Sequence, residues 1–502
     1  MNKLPIVLIA CGLAVRLIIA WLPVTALIPR TLPDDAFIYF VIARNIAAGL
    51  GATFDGLRPT NGFHPLWALL IAPIFGLLLE GDLPVHVVLT FGALCDVTAA
   101  ALAAWIVSRF APDALRSQAA GVTLALYLFN PRAVQESING LETGLALLIL
   151  AGCVVAWMWL TVSPESKGRA AAFGALAGLT VMARSDLGLI VALLGLRLLM
   201  KKQWRNLTVA SAVAAMVVAP WFVWNQIAIG TILQSSGVAI PSLVAQRIQM
   251  STDVGVLWNA LLFPIINYSL RYSIIYPGVA TLAVIVGTLF VRWPSQKVES
   301  ETLRQRPVPE LWLPVIGALL IVLVHTFVRW YPRGWYFAPL AWGWAVAAGP
   351  MFAAGLATPI GKRFGVWIAV AFGLIVIGQS IKMVGEPEYE SQSDMRAGAE
   401  WLAQNVSETE TVGAFNAGIY SYYSGHRVLS LDGLVDWKAI AARRDKRLLD
   451  YFVERGGTLV IDHEAYAIGS FSPFFGAHRL EPIVELPVSD ETYGPIVVYR
   501  VK

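Results

Sequence analysis

The sequence predicts a polytopic α-helical membrane protein, with about 11 transmembrane helices and a C-terminal extracytoplasmic α/β domain. Three observations carry this. The chain is 57% hydrophobic and only 14% charged over 502 residues, against about 45–50% apolar and about 25% charged in soluble domains. Apolar runs of spanning length recur through residues 1–384. From residue 385 onward the pattern changes to short apolar runs and capped polar helices, as in a soluble module.

The predicted spans lie near residues 4–28, 85–108, 118–134, 141–161, 168–184, 186–200, 206–229, 276–292, 311–329, 335–357 and 365–383. The first resembles a signal peptide, but its apolar run of about 25 residues is long enough to cross a bilayer. Arg16 also interrupts it, so it reads as a retained helix. The runs 168–184 and 186–200 are short enough for a tight hairpin. Residues 65–79, "PLWALLIAPIFGLLL", contain Pro73 and are too short for a comfortable span, so they read as a re-entrant or interfacial segment. Cys11, Cys95 and Cys153 all lie in apolar runs and read as small buried hydrophobes rather than a disulfide framework.

Positive charges set the orientation. If 65–79 does not cross, one side collects Arg109, Arg116, Lys167, Arg169, Lys201, Lys202, Arg205, Arg292, Lys297, Arg304, Arg306, Lys362 and Arg363. That side is the cytoplasm, with the N-terminus inside and the C-terminal domain outside. The long first outer loop then covers residues 30–85. With Lys+Arg 37 against Asp+Glu 33, the net charge of +4 is too balanced to point to nucleic acid.

In the C-terminal domain, "SDMRAGAEWLAQNV" and "DWKAIAARRDKRLLDYFVERGG" read as helices; "TVGAF", "RVLSL", "TLVIDH" and "PIVVYRV" read as strands.

The first outer loop concentrates the chemistry. "DDAFIYFVIARNIAAGLG" has Pro33 and the acidic pair at its start and Gly49 at its stop, a helix signature. Asp34 and Asp35 fall at its N-terminus, where the helix dipole favours negative charge. One Asp is enough to cap a helix, so the second invites a chemical role. The loop continues with Asp55, Arg58, Asn61 and His64 among turn residues and aromatics.

The acidic pair after the first helix, Tyr39, "IARN", and "HP" opening an embedded segment resemble the C-type glycosyltransferase superfamily. So do Arg16, "ESINGLET", "RSD" in place of the usual Arg-Pro-Asp, and the closing domain with "RVLSLDGLVD". Its members include protein mannosyltransferases, aminoarabinose transferases and bacterial arabinosyltransferases. The family commonly has Asp-Glu where this chain has Asp34-Asp35. The resemblance implies an inverting membrane glycosyltransferase of the bacterial inner membrane. Its donor would be a sugar on a polyprenyl phosphate, and its acceptor a hydroxyl of an envelope glycan, glycolipid or protein.

A hydroxyl is a poor nucleophile, so a carboxylate must take its proton, while the leaving phosphate needs positive charge. Asp34 is taken as the base, aligned with the first acidic residue of the family pair, and Asp35 as second candidate or orienting partner. Arg329 and Arg333 in "HTFVRWYPRGWYF" are assigned to the phosphate, because Arg makes bidentate phosphate contacts. Tyr336 and His64 are placed with the donor and its lipid. Glu136, Glu142, Tyr39 and Asn61 are placed with the acceptor or in support. Tyr420, Tyr422 and Tyr423, or the run "HRVLSLDG", are candidate acceptor contacts in the C-terminal domain, and Arg184 and Asp186 are an ion pair fixing the hairpin. Asp34, Asp35 and Glu136 are hard oxygen donors suited to Mg²⁺ or Ca²⁺; the sequence leaves the metal open.

The alternative is a secondary transporter or lipid flippase. Transporters keep ionisable groups near the bilayer midplane. Here most spans are free of charge, and polar residues gather in the outer loops.

Overall fold

The computed structural model describes residues 3–77, 81–249, 308–328, 333–489 and 491–502. The chain is a multi-pass membrane protein, mostly helical, with one small sheet near its C-terminus. Among the described residues, five helices are long and apolar enough to cross a bilayer: Leu83–Phe110, Thr143–Val162, Trp204–Ala228, Gly334–Ala357 and Pro359–Gly385. Shorter apolar helices fall at the other predicted spans, at Leu4–Ala20, Arg116–Leu128, Lys167–Ala183, Gly188–Met200 and Leu313–Phe327. The predicted span at 276–292 lies outside the described residues.

Proline explains where the helices depart from expectation. The first helix stops at Ala20 rather than near residue 28, because Pro23 cannot donate to the helix ladder; a single turn, Val24–Leu27, follows it. The expected span 118–134 is two helices. Asn130 caps a new one, its Oδ1 accepting from the N–H of Arg132 and Ala133, and Pro131 takes the first position. The Pro65–Leu77 helix has 13 residues.

The bundle core is built by Leu83–Phe110 packing on Thr143–Val162 and Arg116–Leu128, with Gly334–Ala357 closing over them. A buried ion pair fastens the first helix to this core. Arg16 donates through Nε to Asp96 at 3.0 Å and through Nη1 to the Leu128 carbonyl at 3.0 Å; Tyr127 donates to the other Asp96 oxygen at 2.5 Å. Pairing is what makes a charge tolerable inside a membrane protein. Pro359–Gly385 is the opposite case. Its most apolar window is 0% buried, and Ile360, Val366, Trp367 and Leu374 are exposed. That surface suits lipid, not water.

The sheet has five strands: β1 (Thr411–Ala414), β2 (Arg427–Ser430), β3 (Gly457–His463), β4 (Leu480–Leu486) and β5 (Ile496–Val501). Their order is β2-β1-β3-β5-β4. β1 runs parallel to both β2 and β3, and β5 runs antiparallel to β3 and β4. The four expected strands are present, and β4 is additional. The long helix expected after Asp436 is two, Trp437–Arg444 and Leu448–Glu454, broken where Lys446 adopts φ 53°.

The sheet region sits against residues 30–85, with the helix Ala417–Ser424 lying on the helix Asp34–Ala47. Tyr422 packs edge-on against Phe37 at 5.4 Å and Phe40 at 6.0 Å. Arg44 donates to the carbonyls of Ser421 and Tyr422, both at 3.3 Å. Arg396 pairs with Asp82 at 2.9 Å and Arg455 with Asp55 at 2.6 Å.

Candidate functional site

The Asp34–Ala47 helix starts after Pro33, with both acidic residues in its first turn, and ends before Gly49, whose φ of 77° an L side chain rarely adopts. Neighbouring residues on a helix point about 100° apart. That angle separates the two carboxylates completely.

Asp34 is buried and turned to the C-terminal sheet. Its Oδ1 accepts from the Ile419 N–H at 2.7 Å and its Oδ2 from the Gly418 N–H at 3.1 Å. Its own N–H donates to Gln392 Oε1 at 2.9 Å. Burial pushes the Asp34 carboxyl up to about 8; the two N–H bonds pull the other way, and Asp35 and Asp462 add to the rise.

Asp35 is turned to open space. It lines two cavities at once. The first, about 490 Å³, lies between the spans and the first loop, with Ile38, Leu141, Leu189, Val324 and Val328 making it largely apolar. The second, about 500 Å³, lies under the sheet and is bordered by Arg333, Gln392, Asn416, Asp432 and His463. Trp335 and Tyr336 belong to both walls. Burial raises the Asp35 carboxyl, Arg333 opposes the rise, and Glu142 adds to it.

Two polar clusters line the apolar cavity. In one, the Tyr39 hydroxyl accepts from the His64 N–H at 3.0 Å and hydrogen-bonds Glu142, and His64 Nε2 lies 3.7 Å from Glu142 Oε1. Burial holds His64 below its usual value, so its imidazole is neutral at neutral pH. In the other, Arg184 grips Asp186 with two bonds of 2.9 Å and donates to the Trp335 carbonyl at 2.6 Å. Its guanidinium stands 5.1 Å over the Tyr336 ring, and His325 Nε2 lies 3.6 Å from Asp186. Burial works to raise the Asp186 carboxyl, but Arg184 and His325 outweigh it and hold it below the usual range. Asp186 of the expected hairpin pair therefore also lines the cavity, with Arg184 behind it.

Asp35, Tyr39, His64, Glu142, Arg333 and Tyr336 are thus brought together around the two cavities. Arg329 lies outside the described residues. Glu136 borders neither cavity; it is buried and accepts from Asn139 at 2.9 Å. Asn61 is a clasp. Its Nδ2 donates to the Leu233 carbonyl at 2.8 Å, and its Oδ1 accepts from the Trp437 indole at 3.0 Å and the Ser235 N–H at 3.2 Å. Among the described residues, no group of three or more His, Cys, Asp or Glu is placed to share a metal ion. The trio Asp34, Asp35 and Glu136 does not fit one, since Asp34 faces the sheet and Glu136 faces Asn139.

The tyrosines expected to hold an acceptor do other work. Tyr420 is fully buried, and Tyr422 and Tyr423 pack on Phe37. Sequence reasoning missed Gln392 and Asn416, which stand in unmarked stretches, and passed over His325 and His463, which stand at the ends of "HTFVRWYPRGWYF" and "TLVIDH". Asp432 belongs to the "RVLSLDG" run that drew attention, so a signal for it existed.

The fold has solved counterparts. The structure aligns with ArnT from Cupriavidus metallidurans bound to undecaprenyl phosphate, with TM-score 0.60 and 14% identity, covering 100% of this chain and 98% of that one. It has the C-type glycosyltransferase fold. The apo oligosaccharyltransferase of Archaeoglobus fulgidus also aligns on this C-type fold, with TM-score 0.59 and 12% identity over 94% of this chain and 71% of that one. Residues 381–493 match the model of a domain of unknown function (DUF8728), which covers most of the sheet region that packs on the C-type bundle. No curated protein sequence matches the chain.

Proposed function

We propose that this protein is an inverting membrane glycosyltransferase with Asp35 as its base. One observation carries the reading: Asp35 is the carboxylate common to two cavities of different character, whereas Asp34 is held by two backbone N–H groups. The apolar cavity suits the prenyl chain of a polyprenyl-phosphate sugar, and undecaprenyl phosphate is bound in the aligned ArnT structure. The polar cavity suits the acceptor, a group of the cell envelope.

The acceptor O–H gives its proton to an Asp35 oxygen as the acceptor oxygen bonds to the anomeric carbon. The bond from that carbon to the phosphate oxygen breaks, and its electron pair leaves with the phosphate. One displacement inverts the anomeric centre. A buried carboxyl with a raised pKa is a stronger base than an exposed one. Arg333, close enough to oppose that rise, supplies positive charge for the departing phosphate. Tyr39, His64 and Glu142 shape the donor side as one hydrogen-bonded unit.

In this reading residues 1–384 form the transmembrane module, and residues 385–502 form an extracytoplasmic module that closes the site from outside. The N-terminus faces the cytoplasm of a bacterial cell, as the positive charges imply. The test is envelope composition. A deletion strain should lack one glycosidic linkage, wild-type protein should restore it, and Asp35→Asn at equal membrane abundance should not. An unchanged envelope, or restoration by the Asn variant, removes the proposal.

A further inference from the structure

The polar cavity opens at one particular edge of the sheet. Phe415 and Asn416 follow β1, Asp432 lies two residues past β2, and His463 ends β3; all four line the cavity. These are the three parallel strands. From β1 the chain goes to β2 on one side and then to β3 on the other, so the strand order reverses at β1. Open α/β sheets bind ligands in the crevice outside the carboxyl ends of their strands at such a reversal. Here that crevice ends on Asp35. Its volume of about 500 Å³ falls within the roughly 300–1,000 Å³ typical of small-molecule sites.

The lining states what kind of molecule fits. Tyr466 and Tyr493 stack with ring centroids 5.5 Å apart and planes 5° from parallel, and His463 lies 6.4 and 6.2 Å from them. Asp432 is 8% exposed. Its Oδ1 accepts from Ser430 Oγ at 2.5 Å and from the Leu434 N–H at 3.0 Å. Its Oδ2 receives no bond from any described residue, so the carboxylate keeps an acceptor beside the cavity. Aromatic faces next to carboxylate and amide groups recognise a ring that is apolar on its C–H faces and edged with hydroxyls. An extended peptide would instead use an unpaired strand edge. β1 and β3, which border the cavity, are interior strands paired on both sides.

We infer that the acceptor is a saccharide, seated by its sugar ring in the cavity at the carboxyl ends of β1, β2 and β3, with one hydroxyl presented to Asp35. This rests on the transferase reading of Asp35. The sheet then serves as the acceptor-selecting half of the site.

Binding tests it without turnover. Full-length protein in lipid nanodiscs is titrated with methyl mannoside, galactoside, glucoside and arabinofuranoside, and with a Ser/Thr-containing peptide, by saturation-transfer NMR. The expected result is millimolar binding of at least one glycoside and none of the peptide. Tyr466→Ala and Tyr493→Ala should each weaken binding about tenfold, on the scale of a lost aromatic contact, while Tyr466→Trp should restore it. The inference is overturned if no glycoside binds, if the peptide binds instead, or if both Ala variants bind undiminished. Transfer lost in Asp35→Asn while no glycoside binds the wild-type protein removes only the saccharide assignment; transfer retained in Asp35→Asn while a glycoside binds the wild-type protein removes only the transferase reading.

Discussion

Asp34 and Ile419 stand 385 positions apart in the chain and 2.7 Å apart in the fold, joined by a backbone N–H donated to the Asp34 carboxylate. With the parallel bond from Gly418, this makes Asp34 a fastener for the C-terminal sheet and leaves its neighbour to face the cavities.

The two acidic residues should therefore respond differently to the same substitution. Asp35→Asn is expected to lower transfer by about 10²–10⁴-fold, the scale of a lost general base, without changing thermal stability. Asp34→Asn presents an amide N–H₂ to one of the two backbone donors and should cost about 1–3 kcal/mol. Thermal melting beside a transfer assay separates them. Equal loss of activity at unchanged stability in both variants would refute the division.

Docking at Asp34 should weaken as pH rises, because the buried charge costs more than its two N–H bonds return. Its carboxyl titrates at about 8 in the fold, against 3.8 ordinarily. A raised folded value means the native state holds the proton more tightly, so its stability is fully present below pH about 4 and falls as pH climbs through about 8. Hydrogen-exchange protection at residues 417–424, after division by the base-catalysed intrinsic rate at each pH, should be greater at pH 5.5 than at pH 8.5. Asp34→Asn, which does not titrate, should flatten that difference.

Gly418 should not tolerate a side chain. A Cβ there would lie 2.2 Å from the Asp34 carbonyl oxygen and 3.0 Å from Oδ1. Gly418→Ala should cost about 1–3 kcal/mol through overpacking, read as faster proteolysis between residues 385 and 420. Wild-type resistance would show that the docking is looser than described.

Arg333→Ala should weaken donor binding by roughly 10–100-fold, as expected for a lost charged hydrogen bond. Arg333→Lys keeps the charge without the planar fork and should fall between. The measurement is the KM for the polyprenyl-phosphate sugar.

Breaking the Arg16–Asp96 pair should damage the bundle itself. Asp96→Ala leaves a buried guanidinium uncompensated, at about 3–5 kcal/mol. Replacing both, as Arg16→Met with Asp96→Leu, should recover most of that loss. Monodispersity on size-exclusion chromatography after mild heating checks both variants.

The helix carrying the acidic pair was readable because its signals are local: Pro33 at one end and Gly49 at the other. The strands with apolar runs were readable for the same reason. β4 was not, since it is an edge strand whose residues are mostly exposed and carry no clear alternation. The choice between Asp34 and Asp35 was also beyond local reading. It depends on two N–H groups of residues 418 and 419, and no short pattern links positions so distant. His325 was hidden for another reason: a single histidine in an apolar run looks like core until Asp186 is seen beside it.

The Pro359–Gly385 helix leads into the sheet region yet buries nothing of its most apolar stretch in the bundle. A strut with so little grip can tilt or slide in the bilayer with almost no loss of protein packing. It works as a leash, so the C-terminal region is held over Asp35 by its other contacts, among them Arg44 with Tyr422, Arg132 with Glu388 and Arg443 with Ser242. Letting a substrate in and a product out would need those contacts to slacken rather than the long spans to move.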